Sequence, residues 1–154
     1  MKRGINWKVL IICLIVVYAI AFAGSLFTNI DSGWYDSVKP SITPPNYVFP
    51  IVWNILFFMI ALSLYFAWIS ANKKQKKEVA SVFAINLFLN LLWSFFFFKL
   101  QRPSLAFAEL VVLEASILAM ILTTQKVNKE SSYLLIPYLL WVTFAGVLNY
   151  LIAY

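Results

Sequence analysis

Apolar stretches of about 20 residues, the length that crosses a hydrocarbon layer, recur along this chain between short polar breaks. They fall near residues 6–27, 47–71, 78–98, 104–124 and 131–152. The breaks after the second, third and fourth runs, Lys73 to Lys77, Lys99 to Pro103 and Gln125 to Glu130, are each too short to be a domain. Helices rather than barrel strands follow, because the runs lack in–out alternation and exceed the roughly 10 residues of a membrane strand. Composition agrees: 63% of residues are hydrophobic, 12% are charged and the mean hydropathy is +0.86. A chain of 154 residues has too little interior to hide that much apolar surface from water. The expectation is an all-α integral membrane protein, one bundle of five transmembrane helices whose short loops force neighbours antiparallel.

Basic residues set the expected orientation, since Lys and Arg are retained on the cytoplasmic side. With the N-terminus cytoplasmic, that side holds Lys2, Arg3, Lys8, Lys73, Lys74, Lys76, Lys77, Lys126 and Lys129, and the opposite side only Lys39, Lys99 and Arg102. A multi-pass protein of the cell membrane is expected. The net charge of +6 is accounted for by topology and by attraction to anionic membrane lipid, with no nucleic-acid partner required. Lys2, Arg3 and Ala21-Phe22-Ala23 imitate a secretory signal, but the apolar run reaches Phe27, longer than a signal core, so a retained first helix is expected. The single cysteine, Cys13, sits in an apolar run and excludes an internal disulfide. No histidine is present, which removes the commonest metal ligand and proton shuttle; no metal site is expected. No nucleophile–base pair or phosphate loop is visible either, so hydrolytic and ATP-driven mechanisms find no support.

The connection between the first two spans, residues 28–46, is long for a protein whose other loops are minimal. It carries Trp34, Tyr35, Lys39-Pro40 and Pro44-Pro45, prolines that stiffen the path before Tyr47-Val48-Phe49-Pro50 releases it into a helix. A stiff aromatic loop of this kind suits a lid, although each aromatic alone is explained as an interfacial anchor. Helical spacing groups Trp53, Phe57 and Ile60 on one face of the second span, Asn86, Asn90, Trp93 and Phe97 on one face of the third, and Pro137, Trp141, Ala145 and Leu148 on one face of the fifth. At about 1.5 Å per residue, Trp53 lies roughly 10 Å below the outer surface, and Asn90 and Trp93 stand about 18 to 22 Å above the inner one. Ala145 is similarly high. Three stripes under one loop are placed to line one pocket, where indole faces stack on planar π-systems or cations.

The ordered set Trp34, Lys39-Pro40, Pro44-Pro45 and Trp53 resembles the signature of the translocator protein family, also called tryptophan-rich sensory proteins or peripheral benzodiazepine receptors. Asn86-Leu-Phe-Leu-Asn90-Leu-Leu-Trp93-Ser94 and Pro137-Tyr138-Leu-Leu-Trp141-Val-Thr-Phe144-Ala145-Gly-Val-Leu148-Asn149-Tyr150 are similar to the same family, so the resemblance spans nearly the whole chain. It implies a receptor, sensor or carrier that binds a porphyrin, such as protoporphyrin IX or haem, or a similar flat hydrophobic molecule, as ligand rather than as a required cofactor. Carried over by motif, the pocket comprises Trp53, Asn90, Trp93, Ser94, Trp141 and Ala145, with Tyr35 and Pro44 from the lid; helical spacing adds Phe57 and Asn86. Trp53 and Trp141 match the residues that family members use in light-driven, oxygen-dependent porphyrin breakdown, which leaves a porphyrin-degrading enzyme as the alternative and makes those two its catalytic residues. The resemblance also implies a homodimer, for which Ala115 and Ala119 offer a small-residue spacing. The residues after Tyr150, Leu151 to Tyr154, include no basic side chain, so the family's sterol motif is incomplete. Without histidine, iron ligation falls to Tyr, Met or Cys, which favours a metal-free porphyrin.

Two carboxylates in the fourth span complete the reading. Glu114 lies about 15 Å inside, where an ionisable group is a functional candidate, here for a proton-coupled transporter, or else a hydrogen-bonded helix contact. Glu109 is shallower, placed to snorkel or to pair with Lys99. Five-residue spacing turns the two about 140° apart, so they do not form one acid–base pair.

Overall fold

A computed structural model of the chain describes residues 4–28 and 33–154; Lys2 and Arg3, counted above for topology, and Asp31 and Ser32 of the long loop lie outside the described residues. Helix α1 (Trp7–Ser25) starts at Asn6, whose side-chain oxygen accepts the Val9 amide as an N-cap. A short helix α2 (Gly33–Val38) sits within the long connection, and α3 (Val48–Ser70) follows the proline-rich stretch. Helix α4 (Lys73–Ser94) continues through one π-helical turn (Phe95–Lys99). Helix α5 (Pro103–Gln125) has proline in its first turn, where a missing N–H costs nothing. The last span is broken into α6 (Lys129–Tyr133) and α7 (Ile136–Ala153). Counting α4 with its π turn and α6 with α7, five helices are long and apolar enough to cross a membrane, and among the described residues there is no strand.

The boundaries show where local chemistry overrode hydropathy. The lysine run expected as a loop is the first turn of α4, because Asn72 and Gln75 form a reciprocal capping box that starts the helix while the lysines extend towards water. The fifth run is interrupted at Leu134 and Leu135 because Pro137 has no N–H to give the preceding turn. The Ala21-Phe22-Ala23 stretch lies inside α1, which packs on α3 and α4.

Around the bundle, α1 abuts α3 and α4, α4 abuts α5, α5 abuts α7, and α3 closes the ring against α6 and α7. Val17, Ile60, Ala61, Val79, Ile117, Met120 and Tyr138 are fully enclosed at the centre. Outside, Ile11, Ile15, Phe22, Ile55, Phe88, Leu122 and Leu140 form an apolar surface that only lipid solvates. Polar contacts fasten the end away from the long loop: the Ser63 hydroxyl donates to the Ser131 carbonyl at 2.8 Å, the Ser131 hydroxyl donates back to the Ser63 carbonyl at 2.7 Å, and the Asn128 amide donates to Ser70 at 3.1 Å. At the other end the helices part around a cavity.

Candidate functional site

A cavity of about 190 Å³ lies at the loop end of the bundle. Helix α3 lines it with Phe49, Pro50, Trp53 and Phe57, α4 with Asn90, Trp93 and Ser94, and the π turn with Phe97 and Phe98. Helix α7 adds Ala145, Leu148, Asn149 and Ile152, and α1 supplies the small residues Ala21, Gly24, Ser25 and Thr28. The π turn matters to this wall. Trp93 stacks on Phe97 with centroids 5.1 Å apart and planes at 16°, while Phe98 stands edge-on to Trp93 at 5.9 Å, so consecutive phenylalanines both reach the cavity. The turn ends at Gln101, whose φ of 53° lets the Arg102 amide bond back to the Phe96 carbonyl at 3.1 Å.

The roof is α2. Trp34 meets Phe97 edge-on at 5.6 Å, and the buried Tyr35 packs against Phe97, Phe98 and Phe49. A six-residue helix has no stability of its own, so these rings hold it in place. Lys39 of the Lys-Pro pair makes an ion pair with Asp36 and so closes the end of this helix. Burial pushes the Tyr35 phenol above the ordinary tyrosine range; the neighbouring Asp36 carboxylate adds to the rise, and the nearby Thr43 hydroxyl opposes it in part. The neutral phenol is therefore the form that docks. Its contribution to lid stability is complete below about pH 10, the value of a free tyrosine, and is lost as pH rises through the higher folded value. Alkaline titration followed at the tyrosinate absorbance is expected to show late-ionising groups above the free-tyrosine range, fewer by one in Tyr35→Phe.

The floor is a hydrogen-bonded chain. The Asn90 amide donates to the Tyr138 hydroxyl at 3.2 Å, that hydroxyl donates to Asn86 Oδ1 at 3.2 Å, and the Asn86 amide donates to Ser116 at 2.8 Å. On the adjoining wall, Trp93 Nε1 donates to Asn149 Oδ1 at 3.1 Å, and the Asn149 amide donates to the Pro103 carbonyl at 2.8 Å, joining α4, α7 and the start of α5. These bonds orient Asn90 and Trp93 at a fixed depth. Trp53 stacks on Phe57 at 5.4 Å and meets Tyr138 edge-on at 6.2 Å. The result is a mainly aromatic chamber in which a few fixed polar groups are available to orient a guest.

Of the residues expected at the site, Tyr35, Trp53, Phe57, Asn90, Trp93, Ser94 and Ala145 line the cavity. Asn86, Trp141 and Pro44 do not. Asn86 is fully buried one turn below Asn90, beneath the Tyr138 hydroxyl that closes the floor. Trp141 lies one turn from Ala145 on the outer side of the wall, in a groove with Val52, Ile55, Leu56, Met59, Pro137 and Leu140, its ring against Phe49 and Phe144. Pro44 belongs to the loop beyond the roof. Of the carboxylates, Glu109 differs from expectation, being buried with neither oxygen hydrogen-bonded and so not paired with Lys99, whereas Glu114 accepts a hydrogen bond from Thr143 across the α5–α7 face, the helix contact that was one of its two readings.

Sequence reasoning missed the contribution of α1, because Ala21, Gly24 and Ser25 lie in a run whose apolar residues go all the way round and mark no face. It also missed Asn149, for which the polar residue in an otherwise apolar helix was an available signal.

The profile of the TspO/MBR family matches residues 11–154. The tryptophan-rich protein TspO of Chlorobaculum tepidum is 42% identical over 146 residues, covering 93% of this chain and 92% of the relative. The protein of the same name from Archaeoglobus fulgidus is 39% identical over 145 residues, covering 93% and 94%. The translocator protein of Bos taurus is 29% identical over 133 residues, covering 84% and 79%. With five membrane-length helices and a match over nearly its whole length, the chain is an integral multi-pass membrane protein that belongs to the TspO/MBR family.

Proposed function

We propose that this protein is a membrane receptor or carrier for a porphyrin, or a similar flat hydrophobic molecule, bound in the cavity beneath α2. The observation that carries this reading is the cavity wall itself: Trp53, Trp93, Phe57, Phe97 and Phe98 offer ring faces and edges to a planar guest, and Asn90 offers an amide to its polar edge. The names translocator and tryptophan-rich protein among its relatives fit a role in recognition or movement of such a ligand. With no histidine in the sequence, a metal-free tetrapyrrole such as protoporphyrin IX is favoured over haem. The charge asymmetry of the loops favours a cytoplasmic N-terminus in the cell membrane, which sets the roof on the opposite face.

Titrating the purified protein in detergent with protoporphyrin IX is the test. Saturable quenching of tryptophan fluorescence, weakened in Trp53→Phe, is expected; the absence of saturable quenching would refute the reading. A second reading, oxidative breakdown of porphyrin under light and oxygen, draws support from Trp53, which faces the cavity beside Tyr138. A new tetrapyrrole product formed only under illumination, and lost in Trp53→Phe, distinguishes it. Glu114 does not line the cavity, so proton-coupled transport draws no support from its position.

A further inference from the structure

The cavity and the groove that holds Trp141 lie on opposite sides of one wall, the seam between α3 and α7. Phe49 and Trp53 of α3 and Ala145 of α7 face inward, while Val52 and Ile55 of α3 and Leu140 and Trp141 of α7 face the lipid side. This seam is fastened very unevenly. Away from the loop, α3 is tied through Ser63 to Ser131 of α6, with reciprocal bonds of 2.8 and 2.7 Å, just before α7 begins. At the cavity end no hydrogen bond joins α3 to α7 among the described residues, and the contact is made by ring edges, Phe49 to Trp141 at 5.9 Å and Trp53 to Tyr138 at 6.2 Å. Between the fastened and unfastened parts, the helix is interrupted at Leu134 and Leu135, ahead of Pro137. Because Asn149 ties the cavity end of α7 to α4 and α5, the side of the seam that swings is α3, pinned through Ser63 and held against α7 at the cavity end by ring edges alone.

Two further observations give the swing a purpose. At about 190 Å³ the cavity is smaller than the roughly 300–1,000 Å³ of sites that take drug-sized molecules, so a tetrapyrrole needs a wall to move. The Trp141 indole N–H is buried with no acceptor, an unmet donor in the closed wall. We propose that the α3–α7 seam is a lateral portal from the bilayer into the cavity and that Trp141 is its gate, admitting a lipid-dissolved flat ligand whose own acceptor oxygen, a carboxylate or carbonyl, meets the Trp141 N–H on the way in. This rests on the ligand-binding reading above and names the route and the polar feature of the ligand. It also accounts for a tryptophan that shares a helix face with Ala145 yet stands outside the cavity.

The test bridges the seam reversibly. In a Cys13→Ala background, Ile55→Cys and Leu140→Cys place thiols on the two lips of the outer groove, where both side chains are exposed, and a short bis-methanethiosulfonate reagent joins them. Protein in lipid nanodiscs is mixed with protoporphyrin IX already dissolved in the lipid, and association is followed by tryptophan quenching. The portal predicts association slowed tenfold or more by the bridge and restored by reductant, with the equilibrium affinity of the reduced form like that of the parent. Trp141→Ala is expected to speed association severalfold. Equal rates in bridged and reduced protein would overturn the portal. So would slowing only by a bridge across the neighbouring α1–α3 groove, made with Tyr18→Cys and Asn54→Cys, whose native side chains touch at 2.8 Å. No quenching in the reduced protein would instead refute the ligand-binding reading, and the portal with it.

Discussion

Trp53→Ala is expected to weaken protoporphyrin IX binding by roughly 30- to 150-fold, about 2–3 kcal/mol, the scale of a central aromatic anchor in an enclosed site. Trp53 stacks on Phe57, meets Tyr138 edge-on and forms the inner surface of α3 opposite Trp93 and Ala145. Removing the indole takes away a stacking face and also leaves Phe57 and Tyr138 without the ring that sets their positions. Trp68 is the control: it lies in the distal part of α3 beneath the Lys76 ammonium, 5.5 Å from the ring centre, and Trp68→Ala is expected to change affinity less than twofold. Affinity is best read from the porphyrin absorbance, because both substitutions remove a fluorophore. Equal affinity in the two variants would show that the guest is held elsewhere.

That contrast between two tryptophans on one helix shows how much of the site was legible from the sequence. Spacing correctly grouped Trp53 with Phe57 and Asn90 with Trp93, since residues three or four apart share a face whatever the tertiary structure does. Spacing carries no information about where a cavity stops along that face. Asn86 and Trp141 each share a face with a lining residue and each lies one turn, about 5.4 Å, away from it. Tyr138, whose hydroxyl reaches between Asn86 and Asn90, sets the floor, and no pattern in the sequence announces that reach. The run Phe95 to Phe98 was only half readable: helical spacing placed Phe97 on the lining stripe, but four identical residues have no periodicity, so the π turn that brings Phe98 to the cavity beside it leaves no mark. Helix α2 was hidden because it is too short to form without Trp34 and Tyr35 docked on the bundle. The five spans were legible because their signal is length and solvent, which do not depend on partners.

Gly146→Leu is expected to destabilise the bundle by about 3 kcal/mol, near the upper end for overpacking a close contact. A Cβ built on Gly146 would stand only 3.0 Å from the Cδ2 atom of Leu110, and Leu110, at 2% exposure, has little room to withdraw. Alanine at this position asks Leu110 to move by a few tenths of an ångström; leucine adds three further carbons on the same line and obliges α5 and α7 to separate. Separation pulls directly on the bond from the Asn149 amide to the Pro103 carbonyl and, through Asn149, on the bond that orients Trp93. Stability and ligand affinity should therefore fall together, the first measured by graded denaturation in detergent and the second by porphyrin titration of the fraction that stays folded. Leu110→Ala supplies the missing space, so the double variant should recover a large part of both losses, a coupling expected only for residues in contact. A Gly146→Leu protein as stable as the parent would mean that α5 and α7 do not approach this closely, and the cavity wall that depends on their approach would have to be redrawn.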